Sequence, residues 1–208
     1  MTKGANPRGA VIAPPDPWDP LVRLTHWTIA GVVIWNGLID KPGGVLHIWL
    51  GWIAMLVLAI RVIWGFIGTP SARFSSFLPD PRATLSHLLG LFRGEKREYP
   101  SHNPAGAAMV YALWLSLAIV IVTGLSMTEY KNPILITEEK SAVAAGDWSV
   151  LVKDGAEADE KDDLPKEIHE TFANLMLILA LVHVAGVAVE SRILNRNLVR
   201  PMIKGTRR

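Results

Sequence analysis

The sequence predicts an all-α integral membrane protein: a four-helix bundle with both termini on the cytoplasmic side. Three observations carry that expectation. Apolar residues gather in four blocks, each near the roughly 20 residues a helix needs to cross a bilayer. The chain of 208 residues is 50% hydrophobic, with a mean hydropathy of +0.28. Its charged fraction is 19%, below the roughly 25% of soluble domains, and most of the basic residues fall in alternate connections.

The first predicted helix covers about 21–39, "LVRLTHWTIAGVVIWNGLI", and is the weakest because it contains Arg23, His26 and Asn36. Its apolar run follows a Pro-rich leader with no small-residue cleavage pattern after it, so it reads as a retained span and not a signal peptide. The second covers 47–68, "HIWLGWIAMLVLAIRVIWGFIG", the third 104–127, and the fourth 168–190. In the last three, polar residues do not recur every few positions, as they do on a helix with one buried stripe.

Between the third and fourth helices lies an acidic connection, 128–167. From Thr128 to Glu170 there are twelve Asp or Glu against five Lys. Its "DGAEADEKDD" run reads as a solvated or flexible loop, with a negative docking face for a basic partner as the functional alternative. No repeat or composition shift suggests a second domain, so 1–208 reads as one unit.

Orientation follows from charge. The N-terminal segment to Arg23, the connection from Arg73 to Arg97 and the tail from Arg192 to Arg208 hold fourteen of the twenty-one basic residues. Four spans place all three segments on one face, and the positive-inside rule makes that face cytoplasmic. The opposite face has Lys41 and five further lysines but no arginine. The pI near 9.0 therefore reflects orientation in the cytoplasmic membrane, and nucleic-acid binding is not expected.

With no cysteine, disulfides, iron–sulfur ligation and covalent haem attachment are excluded. Histidines remain. His169 and His183 are fourteen residues apart in one helix, which is about 40° short of four turns and roughly 21 Å along the axis. They share a face at two depths. His26, in the outward-running first helix, matches His183 at the inner level, and His47 matches His169 at the outer level. Ionisable groups in a membrane face the bundle interior and serve function. Two imidazoles at each level, with no third strong ligand for zinc, suit haem iron ligated on both faces. That ligation leaves no open position and favours electron transfer.

Gly31, Gly51 and Gly186 follow these histidines closely enough to let a flat macrocycle, or a neighbouring helix, approach. Arg61, fourteen residues after His47, needs an anion and is expected to meet a haem propionate, with snorkelling to the interface as the alternative. His87, in the amphipathic "ATLSHLLGLFRG", has no partner at its depth and reads as interfacial. His102 precedes Asn103–Pro104, a helix-entrance pair, with contact to a quinone or propionate as its other reading.

The pieces "RLTHW", "HIWLGW", "RVIWGFIGTPSARF", "HNPAG" and "EIHETFANLMLILALVHVAG", in this order, resemble the prokaryotic cytochrome b561 family, which includes the b-type cytochrome subunit of nickel–iron hydrogenases. The resemblance implies a four-helix membrane bundle with two b-type haems (iron protoporphyrin IX), His26 and His183 ligating the cytoplasmic-side haem and His47 and His169 the periplasmic-side one. It implies electron transfer between the quinone pool and a redox partner. The protein would be either a quinone-coupled oxidoreductase or the membrane anchor of a periplasmic hydrogenase, dehydrogenase or c-type cytochrome system. A non-haem transporter or assembly factor with structural histidines is the rival, although the Gly/Pro-broken spans and inverted repeats of transporters are absent.

Overall fold

A computed structural model describes residues 18–95, 97, 99, 102–151 and 163–205. Among these residues the chain is all-helical. Helix α1 spans Pro20–Ile34 and continues into a π-helical turn, Trp35–Ile39; α2 is Val45–Ile67, α3 Pro81–Phe92, α4 Pro104–Met127, α5 Pro133–Ala144, α6 Leu164–Ile193 and α7 Val199–Lys204.

Four of these helices start on the same device, an Asp or Asn cap followed by proline. Asp19, Asp80, Asn103 and Asn132 each accept backbone N–H bonds from the first turn, and Pro20, Pro81, Pro104 and Pro133 follow them. The cap satisfies donors a helix start leaves orphaned, and proline has no N–H to lose there.

Helices α1, α2, α4 and α6 share one core, in which Val32, Val33, Ala54, Leu117 and Met176 are buried. Outside it the surface stays apolar: Met176 is the single buried residue of the thirty in α6. Leucines, isoleucines and valines such as Leu181, Val184, Leu56 and Ile63 lie exposed. A water-facing surface of this kind is not found on monomeric soluble proteins. Helices α2, α4 and α6 are long and apolar enough to cross a membrane.

The first expected span differs. Its regular α-helix has fifteen residues, roughly 22 Å, and reaches Ile39 only through the five-residue π turn. That turn explains Asn36 inside an apolar block: its Nδ2 donates to the carbonyl of His47 at 3.0 Å, tying the end of the first helix to the start of the second. At the other end Arg23 and Trp27 donate to carbonyls of α7, with Trp27 Nε1 3.1 Å from Met202 O and Arg23 Nε 3.2 Å from the same atom. The two ends of the described chain therefore meet at one end of the bundle.

The acidic connection is not loop throughout. Asn132–Pro133 starts α5, Ile136 is buried, and the helix leans on α2, where Trp49 Nε1 lies 3.4 Å from Thr137 Oγ1. The fourth long helix also begins earlier than its apolar run, at Leu164. Most of the "DGAEADEKDD" run lies outside the described residues.

Candidate cofactor sites: two imidazole pairs

The four histidines meet as their depths pair them. The rings of His26 and His183 have centroids 6.3 Å apart at an interplanar angle of 57°, and those of His47 and His169 are 6.2 Å apart at 53°. Each pair joins α6 to a different helix, α1 for one and the first turn of α2 for the other.

That separation has a chemical meaning. A metal–imidazole bond is about 2.0–2.1 Å, and the bonded nitrogen lies about 1.1 Å from its ring centroid, so two imidazoles on opposite sides of one metal have centroids about 6.3 Å apart. A direct hydrogen bond between rings would bring them closer. Among the described residues no group of three or more His, Asp or Glu could hold a bare ion. Two ligands alone suit a metal whose other positions are filled by a macrocycle.

Further observations fit such a group. A Cβ added at Gly31, Gly51 or Gly186 would meet no atom within 4 Å. The glycines therefore border open space and do not serve tight helix packing.

His169 is oriented from α4. Thr123 Oγ1 donates to the carbonyl of Ile119 at 2.8 Å and lies 3.1 Å from His169 Nδ1. Thr123 Oγ1 also lies 3.1 Å from Val120 O; a hydroxyl that gives its proton to either carbonyl can accept from His169 Nδ1–H, an arrangement that leaves Nε2 as the free lone pair. Such outer partners fix the tautomer of metal-binding histidines. Gly124 makes room beside it: a Cβ there would lie 3.3 Å from His169 Cε1. Neither residue is evident from sequence, where "VTGLS" reads as span; the one signal is a small-residue pair at the depth of His169.

Arg61, in α2, is 4% exposed. Its Nη2 donates to Ala72 O at 3.3 Å, its Cζ sits 4.9 Å above the Trp114 ring centroid, and its Nη1 is buried without a partner among the described residues. Nearby, His102 packs at a tilt against Trp18 and Phe77, with centroids 4.8 and 4.5 Å away and interplanar angles of 54° and 43°. Burial, then Arg61 and His183, lower its pKa to about 4, so the ring is neutral at physiological pH. Asn103 caps α4 as its sequence context suggests, accepting from Gly106 N at 2.6 Å.

His87 departs from the sequence reading. It is 3% exposed on the protein-facing side of α3, with Nδ1 3.2 Å from the Tyr99 hydroxyl and Nε2 3.9 Å from a Glu190 carboxylate oxygen. Burial lowers its pKa against the opposing pull of Glu190. The reason is helix phase: His87 lies on the side of α3 that faces Glu190 of α6.

No curated protein and no solved structure matches the chain significantly. A family model described as prokaryotic cytochrome b561 matches residues 17–205, nearly the whole chain including both histidine pairs. The chain belongs to the prokaryotic cytochrome b561 family, and is thus a membrane protein of the b-type cytochromes that transfer electrons.

Proposed function

We propose that this protein is a dihaem cytochrome that moves electrons between the quinone pool and a redox partner. His26 and His183 would ligate one haem and His47 and His169 the other. The observation that carries this reading is the pair of imidazole separations, 6.3 and 6.2 Å, at two levels of one bundle. When bound, haem supplies one-electron redox chemistry; the chain's part is to hold, space and tune it. Thr123 fixes the His169 tautomer, Gly51 and Gly186 border the room a macrocycle needs, and Arg61 offers its unpartnered Nη1 to a propionate. The bundle is read as one unit of four spans in the cytoplasmic membrane, α1 with its π turn being the fourth, and with both termini cytoplasmic.

Purified protein tests this directly. The wild type should hold two haems per chain, and His26→Ala or His47→Ala should each remove one. Two full haems in both variants would end the assignment, and a colourless wild type would favour a transporter or assembly factor.

A second reading within the same class makes the protein the anchor and electron-transfer subunit of a periplasmic hydrogenase, dehydrogenase or c-type cytochrome system. The acidic outer connection favours it: Glu129, Glu138 and Asp147 lie exposed around α5. Electron exchange with a basic c-type cytochrome should then slow as ionic strength rises, because exposed charges are screened. Salt-independent rates would count against docking there.

A further inference from the structure

The face of α3 turned away from the bundle has a use that electron transfer does not explain. Leu85, Leu89 and Phe92 form an apolar arc there, 60%, 48% and 89% exposed, while His87 on the opposite side is buried. Arg82 and Arg93 are eleven residues apart, nearly in phase on the helix, and flank that arc from one side. Neither arginine has a partner among the described residues. The loop after α3 then folds back: Gly94 adopts φ +70° and Glu95 N donates to Gly90 O at 2.9 Å. This encloses a groove of about 300 Å³ with Arg82 and Arg93 at its edge and Leu85 and Leu89 on its floor.

Among the described residues its one carboxylate is already neutralised, since Glu95 pairs with Arg97 at 2.7 Å. The unmatched charge of the groove is therefore positive, beside an apolar floor, on a helix joining two membrane-crossing helices at their inner ends. A free anion would leave the leucines bare, and a zwitterionic lipid would bring a quaternary ammonium, together with its phosphate, beside two guanidiniums. We infer that this groove binds an anionic phospholipid of the inner leaflet, its phosphodiester between Arg82 and Arg93 and its acyl chains over Leu85 and Leu89. Basic residues at a membrane surface select anionic lipid in this way.

The test uses full-length purified protein, delipidated in detergent and offered phosphatidylglycerol or phosphatidylcholine with identical chains, with bound lipid counted by native mass spectrometry. Wild type should retain phosphatidylglycerol selectively. Arg82→Gln/Arg93→Gln should weaken that retention about thirtyfold, the expected loss for two basic residues at an anionic surface. Arg82→Lys/Arg93→Lys should keep most of it. Should the Gln variant misfold, raising the salt on wild type gives the same reading, because selectivity must fall as the charges are screened. Equal retention of the two lipids, wild-type retention by the Gln variant, or full displacement of lipid by inorganic phosphate would overturn the assignment. The last outcome would mean a phosphate site in which the leucines play no part.

Discussion

The hydroxyl of Thr123 and the imidazole of His169 lie 3.1 Å apart across the α4–α6 interface, and the carbonyls of Ile119 and Val120, 2.8 and 3.1 Å away, are acceptors for the hydroxyl's own proton. One α4 side chain thereby decides which nitrogen of an α6 histidine is free to bind. Thr123→Val keeps the shape and loses the acceptor. On the proposed ligation, haem affinity at the His47–His169 pair should fall about 10–100-fold, the usual cost of removing an outer-shell partner, while the His26–His183 pair is unchanged. Thr123→Ser should restore it. Stepwise haem loss on dialysis, read by absorbance, checks both variants.

Gly124 should behave as a steric gate for the same ring. A Cβ at this position meets His169 Cε1 at 3.3 Å, so Gly124→Ala tilts the imidazole slightly and Gly124→Val must displace it. Overpacking of this kind costs about 1–3 kcal/mol. The expected result is one haem per chain in the Val variant, with the His26–His183 haem retained. Loss of both haems would instead indicate a folding defect, which the helical circular dichroism signal would reveal.

Arg61 is buried with one nitrogen unpartnered among the described residues. If that nitrogen serves a bound carboxylate, Arg61→Met should cost more in haem-loaded protein than in haem-depleted protein. A difference of about 1–3 kcal/mol is expected, the penalty for leaving a buried polar group unmatched. Thermal unfolding of both forms measures it. An equal penalty in the two forms would show that the guanidinium serves only Ala72 and Trp114.

His102 gives a pH dependence with a definite sign. Its folded pKa of about 4 is below the ordinary value of 6.5, so the unfolded chain takes up the proton first. Stability is complete above about pH 6.5, falls as pH drops, and the loss from this residue is complete below about pH 4. The shift corresponds to about 3 kcal/mol in all. Unfolding of His102→Gln should be flatter across that window than wild type. Parallel curves would place the proton uptake elsewhere.

Much of this arrangement is legible in the sequence because it follows helix periodicity. The spacing of His169 and His183 and the depths of His26 and His47 give the pairs that the coordinates bring within 6.3 Å. Asn103–Pro104 announces its own helix start. What sequence misses depends on tertiary partners. Thr123 and Gly124 matter only once α6 lies beside them. His87 looks interfacial until the phase of α3 against α4 is known, and α5 hides in a connection whose acidic composition suggests solvent. Asn36 weakens the apolar signal of the first span because its partner, the carbonyl of His47, lies across a turn.

Both pairs draw one imidazole from α6, the last long helix to be translated, and α1 is fastened at its entry by carbonyls of α7. On the proposed ligation, a nascent chain that has inserted its first three long helices still holds only half of each ligand set. Completion of either ligand pair must therefore wait until α6 has been made. A premature stop codon anywhere before His169 should produce apoprotein alone, however well the earlier helices insert.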